Sequence, residues 1–169
     1  MDEVICDFLG ELCRRYEHHT GAAVNLRHLA QYDLTPFVGE IGKRLFLQAG
    51  FFSELKAFPH ALDTLKKLYL EGYHIIVATD AKNNSAVAED KKRWVKKHLP
   101  FLIPDNFIVT AEKHLIRAEL LFDDSPEVLK RFSGIKVIMD RPYNQGVTGH
   151  RIFNNDWRQF YLLVKNLFP

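Results

Sequence analysis

The sequence lacks the features that mark membrane-spanning, disordered and disulfide-stabilised proteins. Its 169 residues contain no apolar run close to the roughly 18 residues that a transmembrane helix needs. It has 2 cysteines, too few for a disulfide framework, and hydrophobic residues make up 47% of the chain, which excludes a disordered composition. The length fits one globular domain, or one domain with a small insertion.

The sequence also lacks an excess of charge of one sign. Lysine and arginine total 23 against 21 acidic residues, so nothing in the net charge favours a nucleic acid or a membrane surface as a partner. The N-terminus is acidic where a secretory or mitochondrial leader would be basic, and we therefore expect a cytoplasmic protein. One basic segment, residues 82–97, is interpreted as a solvated helix face or, less favoured, as a local anion site.

Helix and strand patterns alternate after residue 58. The patterns predict strands over 73–78, 107–110, 119–122 and 135–139. They predict helices between Pro59 and Gly72, over 85–98, over 126–132 and after the capping residue Asp156. Such alternation is typical of a doubly wound α/β fold, in which helices cover a parallel sheet.

Residues 4–56 show a different pattern, with helical periodicity over 4–18 and 37–49 and no convincing strand. We interpret this region as a small helical cap and residues 57–169 as the α/β core. Cys6 and Cys13 fall two turns apart on the first predicted helix, about 10 Å from each other, so we expect packed thiols and no disulfide.

Polar residues follow three of the predicted strands at the point where each strand ends. Thr79 follows the first strand, Lys113 lies just beyond the second, and the pair Asp123 and Asp124 follows the third. The carboxyl ends of parallel strands meet at one edge of a sheet, so these side chains should converge. A hydroxyl and an ammonium suit phosphate oxygens, and adjacent carboxylates suit magnesium, so the pattern indicates phosphoryl chemistry.

Each of these features also has a purely structural explanation. Thr79 and Asp80, or Asp124 and Ser125, could cap the helices that follow them, and a single lysine is most often solvated. The shared position at three strand ends favours the functional interpretation.

The order and context of these residues resemble the haloacid dehalogenase (HAD) superfamily, and more closely its 5'(3')-deoxyribonucleotidase family of bacterial or phage type. The opening MDEVICDF resembles the family motif Asp-x-Asp-Gly-Val-Leu-Ala-Asp-Phe from its second position onward. Six further segments resemble family blocks in the family's order: GFFSELKAFP (50–59), IIVATD (75–80), KKRWV (91–95), VTAEK (109–113), LLFDDSPE (120–127) and DRPYN (140–144). The resemblance covers nearly the whole chain.

The resemblance implies a Rossmann-like HAD core and a magnesium-dependent phosphatase that hydrolyses nucleoside monophosphates through an aspartyl-phosphate. Asp2 matches the second aspartate of the motif, the general acid and base, whose backbone carbonyl also binds the metal. Asp124 would hold Mg²⁺ with support from Asp123. Thr79, Lys91 and Lys113 would bind the phosphate.

The cap should supply the nucleoside pocket. Phe8 matches a family aromatic that stacks on the base, and Phe51 or Phe52 would form another wall, although both could equally be core residues. Tyr32 and Phe37 are weaker candidates. The expected partner is the nucleoside monophosphate, with neither nucleic acid nor membrane, and a homodimer is compatible with the resemblance.

Two positions depart from the family pattern. Glu3 stands where the family has glycine, and the nucleophilic aspartate would fall immediately before Met1, so the first core strand is expected to be missing and to leave a gap beside the strand that ends at Phe122. Three interpretations stay open: a nucleotidase whose nucleophile lies outside these residues, a catalytically inactive nucleotide- or phosphate-binding homologue, and a phospho-acceptor regulator. The aromatic cap and the DRPYN segment argue against the last.

Overall fold

A computed structural model describes residues 1–26 and 29–169. Its helices are α1 (Phe8–Thr20), α2 (Thr35–Leu47), α3 (Ala61–Leu70), α4 (Ser85–His98), α5 (Pro126–Arg131) and α6 (Trp157–Leu167). Its strands are β1 (Val77–Thr79), β2 (Phe107–Val109), β3 (Leu120–Asp123), β4 (Ile135–Met139) and β5 (His150–Ile152). All strand pairs are parallel, and the mixed α/β fold predicted from the sequence is confirmed.

The strands form two sheets, β1-β2 and β3-β4-β5, and no strand within the described ranges joins them. Between β1 and β3 lies a cavity of about 360 Å³, here called the slot, whose mostly apolar wall includes Ile76, Ala78, Leu120 and Phe122. Met1 lies on the wall of the slot and also on the wall of a second cavity described below. The gap expected beside β3 is therefore present.

Local sequence signals explain where several helices begin. The side chain of Asp7 accepts a hydrogen bond from the Gly10 N–H at 2.8 Å at the start of α1, and Asn84 accepts one from the Val87 N–H at 3.2 Å at the start of α4. Asp156 caps α6 in the same way, as predicted. Helix α4 has the bounds predicted from the sequence. Its buried residues recur with the 3.6-residue period of a helix and form its inward face.

Strands β1 and β5 differ most from the sequence predictions, whereas β2 and β3 differ by single residues at their ends. Strand β1 begins at Val77, four residues later than predicted, because its partner β2 begins at Phe107 and the register pairs these two residues. Strand β5 was not predicted: it is three residues long and carries His150 and Arg151, so it lacks a clear apolar pattern.

The helix predicted from residue 4 begins at Phe8, because residues before it form a turn. Cys6 bridges to Asp2 and to Ala57 in this turn, so the prediction that Cys6 and Cys13 share a helix face is wrong, although both are thiols. The Asp7 N–H donates to the Lys56 carbonyl at 2.9 Å, which ties the turn to the chain just before the predicted core. The division into a cap over 4–56 and a core over 57–169 stays a prediction.

Two buried tryptophans fix the turn and the helices around it. The Trp157 indole N–H donates to the Val4 carbonyl at 3.1 Å, and the Trp94 indole N–H donates to the Leu55 carbonyl at 2.7 Å. Both side chains are almost fully buried in the main hydrophobic core. The N-terminal turn, which carries Asp2, is therefore held against α6. Within the described ranges, no helix is long and apolar enough to cross a membrane.

Candidate active site

A cavity of about 400 Å³ opens at the carboxyl ends of β1 and β3 and is here called the site cavity. Most of the site residues predicted from the sequence lie on its wall: Asp2, Phe8, Phe52, Thr79, Lys91, Lys113 and Asp124. The parallel strands thus bring together residues that are far apart in the chain, as the strand-end argument expected.

Lys91 holds one side of the site cavity in place. Its buried ammonium Nζ donates to Asp2 Oδ2 at 2.5 Å, to Thr79 Oγ1 at 3.1 Å and to the Asp80 carbonyl at 2.6 Å. The same nitrogen lies 4.3 Å from the centre of the Phe52 ring. All three protons of the ammonium have acceptors, so Lys91 positions Asp2 and Thr79 in this structure. Its predicted contact with phosphate stays a prediction.

Asp2 presents an unpaired oxygen in the site. Oδ2 pairs with Lys91, whereas Oδ1 is buried and is the single buried side-chain polar atom without a hydrogen-bond partner in the described part of the chain. A buried carboxylate oxygen without a hydrogen-bond partner costs free energy. Oδ1 of Asp2 is therefore placed to exchange a proton with a bound ligand.

Asp123 and Lys113 form a second buried pair. Lys113 Nζ donates to Asp123 Oδ2 at 2.5 Å, and Asp123 Oδ1 accepts from the backbone N–H groups of Asp124 at 3.0 Å and Ser125 at 2.9 Å. Burial alone would lower the pKa of Lys113, but Asp123 and Asp124 outweigh burial and raise it. Both oxygens of Asp123 accept hydrogen bonds in this structure, and these bonds hold Lys113 and the loop after β3. The predicted part of Asp123 in metal binding stays a prediction.

Asp124 is the buried carboxyl group at the end of β3. Burial, and secondarily the charge of Asp123, raise its pKa to about 6, and its Oδ2 accepts a hydrogen bond from the Tyr143 hydroxyl at 2.7 Å. Tyr143 belongs to the DRPYN segment, which was noted in the sequence without a role for the tyrosine. Tyr32 also lies on the cavity wall, 5.4 Å from the Tyr143 ring centre.

The oxygen atoms of the site fit a magnesium ion bound through one carboxylate and one backbone carbonyl. No group of three or more histidine, cysteine, aspartate or glutamate side chains that could hold a metal occurs among residues 1–26 and 29–169. Mg²⁺ commonly uses one or two carboxylates, with water and substrate phosphate as its other ligands. The carboxyl group of Asp124 and the backbone carbonyl of Asp2, on the same cavity, would provide such oxygen ligands and leave the unpaired Oδ1 of Asp2 for proton transfer.

An aromatic wall faces these charged groups. Phe8 and Phe52 stack with ring centres 5.9 Å apart, and Phe46 packs edge-on against Phe8 at 5.7 Å. Phe51 is fully buried behind them, in contact with Phe8 and Phe52, which favours a supporting role over the predicted base contact. Phe46 was not predicted as a site residue, although it lies in the helical pattern predicted over 37–49, and Phe37, a weaker candidate, is 44% exposed.

Magnesium binding is expected to weaken as the pH falls through 6. A metal-binding carboxylate must be ionised, and Asp124 with a pKa of about 6 is mostly protonated at pH 5 and mostly ionised at pH 7.5. Titration calorimetry with Mg²⁺ should give an affinity about tenfold lower at pH 5 than at pH 7.5. The same affinity at both values would show that Asp124 is not a ligand.

Comparison with known proteins places this chain among nucleotidases. The family model described as 5' nucleotidase, deoxy (pyrimidine), cytosolic type C protein matches residues 1–167. A Staphylococcus epidermidis protein, provisionally named as a 5'(3')-deoxyribonucleotidase, is 31% identical over 172 residues, which cover 99% of this chain and 92% of the relative. The 5'(3')-deoxyribonucleotidase of Clostridium acetobutylicum is 30% identical over 141 residues, 80% of this chain and 76% of the relative.

Proposed function

Since this chain belongs to the cytosolic type C 5'-nucleotidase family, whose members are phosphoric monoester hydrolases, we propose that it hydrolyses deoxynucleoside monophosphates with Mg²⁺ through an aspartyl-phosphate. The observation that carries the proposal is the unpaired Oδ1 of Asp2, which shares one cavity with Lys113, Asp124 and an aromatic wall. One site then contains the general acid and base, the cation ligands, the phosphate ligands and an aromatic surface for the nucleobase.

Two groups on the cavity wall would bind the phosphate. Lys113 keeps its positive charge because Asp123 and Asp124 raise its pKa, and its ammonium lies at the end of β2 next to the carboxylates. The Thr79 hydroxyl accepts from Lys91, so its own proton is available to a phosphate oxygen. Preorganised donors of this kind stabilise the charge that develops during phosphoryl transfer.

Mg²⁺, held by Asp2 and Asp124, would supply positive charge that lets an anionic nucleophile approach the phosphate. Asp2 would use Oδ1 to give a proton to the leaving ribose oxygen and later to take one from water, while Lys91 keeps Oδ2 fixed. The aspartyl-phosphate would form on the nucleophilic aspartate that the family resemblance places at the end of the slot, beside Met1, where the slot meets the site cavity.

The nucleoside would lie against the aromatic wall. Phe8, Phe46 and Phe52 line the same cavity as the charged groups, so a phosphate bound near Lys113 leaves the base next to these rings. Their edge-to-face and stacked packing fixes the wall before substrate binds. Stacking on aromatic rings tolerates different bases, so this wall supports binding more than choice of base.

A catalytically inactive nucleotide-binding protein is the second candidate. The observation in its favour is Asp7, the next aspartate after Asp2, whose side chain caps α1 through the Gly10 N–H and so has a structural role. In that case the site cavity would bind a deoxynucleoside monophosphate without releasing phosphate.

The experiment that tests the proposed cation site measures Mg²⁺ binding. Calorimetric titration with Mg²⁺ is expected to show one site in the wild-type protein and a loss of at least tenfold in affinity in Asp124→Asn, since the amide lacks the charge that binds the cation. Glu127→Gln, three residues along the chain, is the control and should bind Mg²⁺ as the wild type does. Unchanged affinity in Asp124→Asn would leave the carboxylate pair as a structural feature only.

A further inference from the structure

Glu3 has a backbone conformation that seldom occurs in residues other than glycine. Its φ angle is 55°, and its side chain is buried next to the N-terminal turn. Glu3 Oε1 accepts a hydrogen bond from the Leu9 N–H at 2.8 Å, and Oε2 accepts one from Arg141 Nε at 3.0 Å. The chain therefore keeps a carboxylate at a position where the backbone favours glycine.

Arg141, which pairs with this carboxylate, donates several further hydrogen bonds. Its Nη2 donates to the Glu3 carbonyl at 2.7 Å and to Asn155 Oδ1 at 2.7 Å, and its Nη1 donates to the Asp140 carbonyl at 2.9 Å. The side chains of Glu3 and Arg141 are 9% and 11% exposed, so water competes little for either charge. The pair fixes the turn after Asp2 to the loop after β4.

A further set of bonds reaches Asp124. The Arg141 N–H donates to Asn144 Oδ1 at 3.1 Å, and Asn144 Nδ2 donates to the Asp124 carbonyl at 2.9 Å. Glu3, Arg141 and Asn144 are here called the Glu3 brace. Through the brace, the residue that follows Asp2 is connected to the backbone of Asp124, although the two aspartates are far apart in the chain.

We propose that Glu3 and Arg141 are positioning residues, which set the place of Asp2 relative to Asp124 and so build one cation site from two loops. This inference rests on the proposed function in that the Asp2 carbonyl and the Asp124 carboxylate are taken as the two cation ligands. Glu3 is not taken as a ligand, because its two side-chain oxygens already accept hydrogen bonds from the Leu9 N–H and from Arg141. Outer residues that fix a ligand typically change metal affinity 10- to 100-fold when they are replaced.

The test uses two variants at Glu3 and two independent readouts. Glu3→Gln keeps the size of the side chain and removes its charge, and Glu3→Gly removes the side chain while suiting the positive φ angle. The first readout is the reaction of Cys6 with a thiol reagent in a Cys13→Ser background. Cys6 lies in the same turn and is 0% exposed, so its reaction rate reports opening of the turn without any cation. The second readout is Mg²⁺ affinity by calorimetry.

We expect both Glu3 variants to react at Cys6 at least tenfold faster and to bind Mg²⁺ at least tenfold more weakly. Arg141→Lys should give the same two changes, and the double variant Glu3→Gln with Arg141→Lys should be no worse than either single variant. Glu54→Gln is the matched control, since it removes the same charge from another Arg–Glu pair, Arg15 and Glu54, and should leave both readouts unchanged.

Two results would overturn the proposal: unchanged Cys6 reactivity in both Glu3 variants, or faster Cys6 reaction with unchanged Mg²⁺ affinity. The readouts also separate this inference from the proposed function. Absence of Mg²⁺ binding in the wild-type protein would contradict the proposed cation site, whereas the Cys6 rates would still decide whether the Glu3 brace holds the turn.

Discussion

Adding an apolar strand that ends in aspartate ahead of Met1 is expected to raise phosphate release from dUMP roughly a thousandfold or more over that of the 169-residue chain expressed alone. The family resemblance puts a nucleophilic aspartate at that position, and a covalent phosphoryl step needs its carboxylate within about 3 to 3.5 Å of the phosphorus. Asp2 and Asp7 cannot take that place, because Lys91 fixes the first and the second caps α1.

The slot has the backbone chemistry to hold such a strand. The Val77 N–H donates to the Asn106 carbonyl on the β2 side, so the alternating backbone turns the polar groups of Ala78 toward the slot. On the opposite wall, the Glu119 carbonyl accepts a hydrogen bond from the Ile135 N–H of β4. The backbone N–H and C=O groups of the next residue, Leu120, therefore face the slot. One parallel strand would pair both edges, and its carboxyl end would join Met1 beside the site cavity.

Two control extensions separate the strand from its carboxylate. The same extension ending in asparagine should fill the slot and raise the melting temperature as the aspartate version does, but should not raise turnover. An extension with a proline at its centre should do neither, since proline cannot complete the hydrogen bonds of a central strand. Rapid turnover of dUMP by the 169-residue chain expressed alone would contradict this prediction.

The edge of the sheet that carries the site could be predicted because it depends on local patterns. Thr79 is the last residue of β1 and Asp124 directly follows β3, and both lie on the wall of the site cavity at the carboxyl ends of these strands. The contacts across the site could not be predicted in this way. Lys91 donates to Asp2 across 89 residues of chain, and Tyr143 donates to Asp124 across 19, so both depend on how helices and loops pack.

Packing separates two pairs of neighbouring residues that the sequence analysis treated together. Phe51 and Phe52 are neighbours in one aromatic pair, yet only Phe52 reaches the cavity wall, because the short helix Phe52–Glu54 turns the two rings to different sides. Asp123 and Asp124 are likewise adjacent, but a strand alternates its side chains between faces, so Asp123 turns to Lys113 and the backbone while Asp124 meets Tyr143. The composition of the chain and the spacing of its motifs do not show which of two adjacent side chains faces the cavity.

Replacing Asp2 by asparagine in the extended chain is expected to lower kcat for dUMP at least a hundredfold and to leave dUMP binding within a few-fold of its original value. Asparagine fills the same volume as aspartate, but it cannot give a proton to the leaving oxygen or take one from water. The unpaired Oδ1 of Asp2 is the atom placed for both transfers, since Lys91 occupies Oδ2.

The matched control for this substitution is Asp7→Asn, five residues along the same turn. Asp7 caps α1, and asparagine is as good a cap as aspartate, so stability should change by less than about 1 kcal/mol and kcat should be unchanged. Steady-state phosphate release gives kcat, and calorimetric titration with dUMP gives the affinity. Because both variants remove one negative charge near the N-terminus, an equal loss of kcat in the two would trace the effect to charge in general and refute proton transfer by Asp2.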